Sequence, residues 1–558
     1  MNDSIVSYLS LALSHAIATK FPNIDTKNID IVIEKPKQKA HGDVSSPIAM
    51  TLAKLLKANP IAIARDIMAD FPWDSRFIEP DPELTHTIAG AFINFRFSHE
   101  YLHTILTGIA VNPDTFGKNI TETPKKMLFE YVSANPTGPM VVVNGRAAAI
   151  GDVMVRINTW IGHSVQREFY VNDYGNQVIL LGKSMEVRYQ QEKGIEGTIP
   201  EGGYEGDYVK DMALTIATQH PDIDSLLQEQ RETLFMNEAL ETLIAQQKAI
   251  LADYGVEYDR WFRESQLHAS GAPQRVLNLL REQQLTYVKD GAEWFLSTKF
   301  GDEKDRALVR SSGTPTYFLA DLSYHLEKAS RGFDESYTFW GPDHHGYIPR
   351  LEHAVNALNL HKTVFKNFII QQVNLIRDGQ PFRMSKRKGD FITISDLLEN
   401  VTVDAARYFF VMRRLSTHFD FDMSLAIKQS DENPVFYIQY AHARTCSLIR
   451  HAEERGFTME EILAANPAIL TEPEALDVIK AIAEFPGMLL YASQYVEPHR
   501  ITAYLENCAS VFHHFYQIHR IVTDDRATSL ARLFLTVGVR NALRTALAII
   551  GVSAPDRM

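Results

Sequence analysis

The sequence predicts an α/β protein of several domains, with a small α+β unit before the α/β region and an all-α helical bundle after it. Three observations predict this. A chain of 558 residues is too long for one compact core. From about 120 to 405, β-rich apolar runs alternate with stretches of helical periodicity, the pattern of a mostly parallel sheet. Beyond Val403 the strand signals disappear, and helical apolar spacing recurs in 404–450, 474–496, 500–522 and 526–551, as in a bundle.

Taken in order, the first unit covers 1–115. Helical periodicity in 5–21 leads to an expected strand at 29–34, IDIVIE, and then to a polar turn at 35–43. Helices follow over 47–57 and around 61–71, and a strand at 90–98 ends the unit. The basic turn Lys35-Pro36-Lys37-Gln38-Lys39-Ala40-His41 either faces a phosphate backbone or is a solvated loop. The α/β unit occupies 120–405. The section from about 178 to 265 is polar and helix-leaning, with a glycine-rich stretch at 193–206, and reads as an insertion between two halves of the nucleotide-binding fold. The bundle covers 406–558, its last helix ending at Gly551 with Pro555 beyond. No internal repeat is evident.

Composition narrows the function. Hydrophobic residues make up 45% and charged residues 22%, ordinary for a globular protein. The net charge of −13 argues against a general nucleic-acid binder, though not against a protein that holds a structured RNA through local patches. Two cysteines, Cys446 and Cys508, make no disulfide framework and lack zinc-site spacing, so no metal and no structural zinc is expected, and a reducing, cytoplasmic setting fits. The first 21 residues lack a basic start and read as an amphipathic helix rather than a signal peptide. No run of about 18 uninterrupted apolar residues predicts a membrane span.

The chemistry gathers in four places. In 129–152, an apolar run breaks at Asn135-Pro136-Thr137-Gly138-Pro139 and becomes a helix-spaced segment. Strand, turn and helix N-terminus is an arrangement that turns backbone N–H groups toward a phosphate or carboxylate. Asn135 either binds a ligand amine or carboxylate, or is turn chemistry. At 381–389, PFRMSKRKG places four cations within six residues, a basic loop that either closes over a polyphosphate or is solvated. Tyr317 and Asp321 are four apart and share a helix face. A guanidinium can donate two parallel hydrogen bonds to one carboxylate, so a cation-binding Asp321 would select arginine over lysine by geometry as well as charge, with Glu264 as a second carboxylate; either acid taken alone reads more readily as a surface salt bridge. Last, Trp340–Gly346 follows an expected strand, where α/β sheets bind ligands. Adjacent His344 and His345 invite a metal, but no third ligand stands at suitable spacing, and hydrogen bonding of His344 to a ribose or an amino-acid carboxylate fits better.

These residues resemble the arginyl-tRNA synthetases, a class I aminoacyl-tRNA synthetase family. GAFINF near residue 90, SANPTGP at 133–139, YVNDYGNQ at 170–177, Tyr317 with Asp321, GPDHHGYIPR at 341–350, RMSKRKG at 383–389, ENPVFYIQYAHAR at 432–444 and the terminal SAPDRM run in family order over nearly the whole chain. The resemblance implies a Rossmann-type catalytic domain between an N-terminal tRNA-binding domain and a C-terminal anticodon-binding domain. It implies ligation of L-arginine to an arginine tRNA with ATP and its bound Mg2+, through an arginyl-adenylate, by a cytoplasmic monomer. Lys386 matches the second lysine of the family's KMSKS loop and Arg383 stands at its first, so both are expected to be catalytic. Asn135, Tyr317, Asp321, Glu264 and His344 are expected at the amino-acid substrate. Gly138, Asn144, Met384, Ser385 and Lys386 are expected at ATP.

The sequence departs from the family at its HIGH-like signature. Where the family has His-x-Gly-His, this chain has Val141-Val142-Val143-Asn144. Both imidazoles are missing, and Asn144 alone keeps a hydrogen-bond donor, which makes it the third expected catalytic residue. One reading is an active ligase in which Asn144, Arg146, the helix N-terminus and the basic loop carry the phosphates. The other is a catalytically silent tRNA-binding or regulatory paralogue.

Overall fold

The computed structural model describes residues 2–24, 29–360, 362–382 and 392–558. Arg383, Met384, Ser385 and Lys386 therefore lie outside the described residues. At the centre are five parallel strands, β1 (Lys126–Glu130), β2 (Ser164–Val171), β3 (Arg260–Arg263), β4 (Glu335–Trp340) and β5 (Val364–Ile369). Their order is β5-β4-β1-β2-β3. The chain enters at the middle strand, walks to one edge through β2 and β3, and returns to the other side of β1 for β4 and β5. The order therefore reverses between β1 and β4, and a crevice opens there at the strands' carboxyl ends, the usual ligand position of such a sheet. Both central strands are buried over nearly their whole length because both their faces are covered, although only β1 carries an apolar run, Met127-Leu128-Phe129.

Helix α1 (Val142–Ile161) follows β1 and α2 (Tyr317–Ser330) precedes β4. The small residues of α1 let it lie close on the sheet: a Cβ on Gly151 would come within 2.2 Å of the Tyr131 ring. The expected insertion is helical, built from Asn176–Glu192, Asp207–Gln219 and Gln228–Asp253, with its own core around Leu181, Met185, Phe235 and Leu243. The glycine-rich stretch at 193–206 forms no regular element. A three-stranded antiparallel sheet (Thr286–Lys289, Ala292–Phe295, Arg306–Val309) precedes α2. Its four-residue strands are too short to stand out by periodicity, and the sequence reading missed them.

In the first unit the expected helices form as Asn2–Lys20, Ile48–Leu56 and Pro60–Ala69. The expected strand at 29–34 does not; only Glu34 makes a bridge, to Ser45. Ile29, Ile31 and Ile33 pack partly buried on the core, so the alternation reported a half-buried extended segment correctly. Alternation says nothing about whether a neighbouring strand is available to pair with. The basic turn also takes a role the sequence did not show. Lys35 pairs with Glu484 at 2.5 Å, Lys39 pairs with Asp477, and Lys480 reaches back to Asp43 at 2.8 Å. Two of the turn's three lysines, Lys35 and Lys39, thus face acids of the bundle.

In the C-terminal region the strand signal had not ended at Val403. Phe419–Asp422 pairs in parallel with Val373–Arg377. The helices include Val403–Val411, Pro434–Glu454, Pro473–Ala483, Phe485–Tyr495, His499–Ile518 and α3 (Arg526–Ile550). By length and composition α3 is apolar enough to cross a membrane, but 78% of its apolar window is buried inside the protein. It is the central helix of the bundle, and Asn541 ties it to the helix His99–Val111 by donating to Ile109 O and Ala110 O at 3.1 and 3.2 Å. Gly551 ends α3 in the left-handed conformation, as expected. A Cβ there would strike the guanidinium of Arg407. That arginine is 1% exposed. It donates to Asp152 of α1, to Ile550 O at 3.1 Å and to Tyr254 O at 3.2 Å, binding catalytic helix, insertion and bundle at one point.

Candidate active site

The crevice between β1 and β4 is a cavity of about 670 Å³. Asn135, Asn144, Glu264, Tyr317, Asp321 and His344 all line it, six residues from five separate parts of the chain. Gly138 is not among the lining residues. It lies against Tyr208, whose hydroxyl would be 3.3 Å from a Cβ at that position.

Two carboxylates give the cavity its character. Glu264 follows directly on β3, is 4% exposed, and hydrogen-bonds Tyr170. Asn172 can donate its amide to Glu264 Oε2 at 3.0 Å. Asp321 sits one turn into α2 and accepts from the Tyr347 hydroxyl. Loss of hydration pushes Asp321 up to about 7, with Glu264 and Glu130 adding negative potential and the Tyr347 bond opposing. Burial likewise pushes Glu264 up to about 7, with Asp173 adding to it and the Tyr170 bond opposing. Among the described residues, neither carboxylate has a lysine or arginine within ion-pair distance; Glu264 has only His268, at 3.4 Å. Two acids held in a poorly hydrated cavity without a counter-cation make a site for a cation supplied from outside.

Deeper in the wall, Glu130 pairs with Lys328, which is fully buried, and accepts from Ser133 Oγ at 3.3 Å. Tyr170, Asn172, Tyr347 and Glu130 are lining residues to which the sequence reading gave no role. The signals were present: an acid closing an apolar strand in KMLFE, and polar residues just past expected strands. Which of these polar residues would face the same cavity depended on strand order. Trp340, at the end of β4, lies against His344 with ring centroids 4.8 Å apart and the planes tilted by 41°, and the exposed His344 sits on the cavity's edge.

At the N-terminus of α1, Asn144 Oδ1 accepts from Val141 N–H at 2.9 Å. Its oxygen therefore caps the helix, and what it can offer a ligand is its amide N–H groups. Val143 lines the cavity beside it. Arg146 does not serve as a phosphate ligand. It is fully buried and donates to Gln371 O (2.8 Å), Thr417 O (3.0 Å) and Arg414 O (2.9 Å). Two residues beyond Asn144, the helix has turned it by about 200°, away from the cavity.

Away from this site, His442, Cys446 and Asp556 bring their ligand atoms within 4.8 Å of one another. The i, i+4 pair His442 and Cys446 meets Asp556 only through folding of the C-terminal segment. His442 Nδ1 donates to Pro555 O at 3.0 Å and Cys446 donates to Asp556 at 3.4 Å. The cluster is joined by hydrogen bonds that pin this segment to the helix.

Comparison with known proteins agrees with this architecture. Family models match over three consecutive stretches: the arginyl tRNA synthetase N-terminal domain at 7–97, the class I (R) tRNA synthetase catalytic domain at 106–412, and the DALR anticodon-binding domain at 438–558. The arginine–tRNA ligase of Symbiobacterium thermophilum is 42% identical over 95% of this chain and 94% of its own length. That of Desulforamulus reducens is 41% identical over 100% and 99%. The Thermus thermophilus arginyl-tRNA synthetase structure superposes with a TM-score of 0.76 at 20% identity, covering 99% of both chains, and has the same fold. With three consecutive family-model matches and relatives 41–42% identical over nearly the whole chain, the chain belongs to the arginyl-tRNA synthetase family.

Proposed function

We propose that this protein ligates L-arginine to its cognate tRNA in two steps within the crevice. The carboxylate of arginine attacks the α-phosphate of magnesium-bound ATP and pyrophosphate leaves. A ribose hydroxyl of the terminal adenosine of the tRNA then attacks the carbonyl carbon of the arginyl-adenylate, and AMP leaves. The observation that carries this reading is the pair Asp321 and Glu264, which lack a protein cation among the described residues. The arginine guanidinium would supply that charge, with Tyr317 beside it. Asn135 and His344 would hold the amino-acid backbone end or the ribose. The α1 N-terminus and the Asn144 amide would meet the nucleotide, together with Gly138, Arg383, Met384, Ser385 and Lys386. The enzyme's contribution is orientation of the reacting groups and charge opposite the developing negative oxygens. Residues 1–115 would grip the outer corner of the tRNA and 406–558 its anticodon. The buried free thiols Cys446 and Cys508 suit a reducing cytoplasm, and the chain would act as a monomer.

The test is charging of arginine tRNA with arginine and magnesium-ATP. Robust arginylation that drops at least about a hundredfold in Lys386→Ala supports the reading. Tight tRNA binding with no arginylation would instead assign the chain to the silent paralogues.

A pH dependence follows from the carboxylates. Both have pKa values raised to about 7 in the empty cavity, and a bound guanidinium favours their ionised forms. Binding therefore releases protons below about pH 8, and arginine affinity should rise with pH through 7 and level off above it. The KM for arginine is expected to be about tenfold or more higher at pH 6 than at pH 8. A flat profile across that window would remove the two acids from the guanidinium site.

A further inference from the structure

The turn that carries Asn135 is held from outside the catalytic sheet. Val132 and Ser133 both have positive φ, 72° and 42°. For a β-branched valine this conformation is strained and persists only where neighbours over-determine it. From β2, Tyr170 N–H donates to Ser133 Oγ at 3.1 Å, and from the segment just before β3 the Tyr258 hydroxyl donates to Tyr131 O at 3.1 Å. Two side chains of the helical insertion then reach across to the turn itself. The Tyr208 hydroxyl donates to Thr137 O at 2.7 Å, and Gln247 Nε2 donates to Asn135 O at 3.2 Å. Gln247 is 2% exposed, and its Oε1 finds no partner. Burying an amide with its oxygen unsatisfied is costly, so this glutamine is poorly suited to be a mere filler of the insertion core. Its one hydrogen bond among the described residues holds the backbone of Asn135.

We propose that Tyr208 and Gln247 are positioning residues through which the helical insertion clamps the turn at 135–138 and sets Asn135 against the cavity. The inference rests on arginine activation being the reaction of this site. The two residues touch no substrate; they fix the backbone that presents one. Movement of the insertion would then be felt at the amino-acid site through these two bonds.

The test compares the full chain with Tyr208→Phe, Gln247→Met and, as control, Tyr189→Phe. The control also loses a tyrosine hydroxyl bond, to the Asp224 carboxylate at 2.9 Å, inside the same insertion but away from the turn. In arginine-dependent ATP–pyrophosphate exchange, Tyr208→Phe and Gln247→Met should each raise the KM for arginine about fivefold, the loss of one net hydrogen bond, with kcat within about twofold. Tyr189→Phe should leave KM unchanged. Amide hydrogen exchange should quicken over 131–138 in the first two variants and not in the control. Unchanged exchange over 131–138 in both variants, or KM changes equal to those of the control, would overturn the clamp. If the parent chain shows no pyrophosphate exchange, the activation reading fails, while the hydrogen-exchange comparison still decides the clamp.

Discussion

Asp321→Asn is expected to reduce kcat/KM for arginine by at least about a hundredfold. The bound guanidinium would lose the carboxylate that can take two of its N–H groups at once, and the amide would turn a donor toward it. Removing one partner of a desolvated, hydrogen-bonded charge pair costs about 2–5 kcal/mol, and about 1.4 kcal/mol is tenfold. The same substitution should not weaken the fold. In the empty protein the Asp321 carboxyl has its pKa raised to about 7, chiefly by loss of hydration, so ionising it above that pH opposes folding. Asp321→Asn should therefore melt no lower than the parent chain at pH 8. Steady-state exchange kinetics with a melting curve at that pH checks both halves. A loss of activity accompanied by a large fall in Tm would mean that Asp321 holds the structure together rather than binding arginine.

The largest stability effect is expected at Arg407. Its guanidinium is buried and donates to Asp152, Ile550 O and Tyr254 O, which belong to α1, the end of α3 and the end of the insertion. Arg407→Leu leaves two carbonyls and most of a buried carboxylate short of donors, with only the half-exposed Arg156 remaining on Asp152 at 2.7 Å. Breaking a buried pair in this way costs about 3–5 kcal/mol. Differential scanning calorimetry should show the main transition lowered by several degrees. The KM for arginine of the folded fraction should stay close to that of the parent, because neither Arg407 nor any of these three partners lines the cavity. A Tm shift below about one degree would show that the three elements are joined mainly by apolar packing.

Much of the site was legible because its residues come from short, ordered motifs. Asn135, Glu264, Tyr317, Asp321 and His344 were each identifiable from local pattern, and the structure brings all five to one cavity. Arg146 was misread because adjacency to the helix start looked like proximity to phosphate, whereas helix phase turns it toward Gln371 and Arg414. Lys35 and Lys39 of the basic turn at 35–43 were legible as charge. Their acidic partners, Asp477 and Glu484, lie more than 430 residues away in sequence. No local pattern carries that distance.

By itself the sequence determined the α/β middle, the helical insertion, the helical C-terminal region and most of the polar residues that meet at the cavity. Each depends on periodicity, on turn residues, or on what a side chain can do within a few positions of its neighbours. The tertiary structure alone decided that Tyr170, Asn172 and Tyr347 join Glu264 and Asp321 at the cavity, and that Tyr208 and Gln247 reach the Asn135 turn. It also decided that extended residues 29–33 pack without pairing. The physical reason is common to all three. Hydration, charge and hydrogen-bond satisfaction are set by groups close in space, and in this chain β1 and β4, 200 residues apart, must lie side by side before the environment of either acid exists.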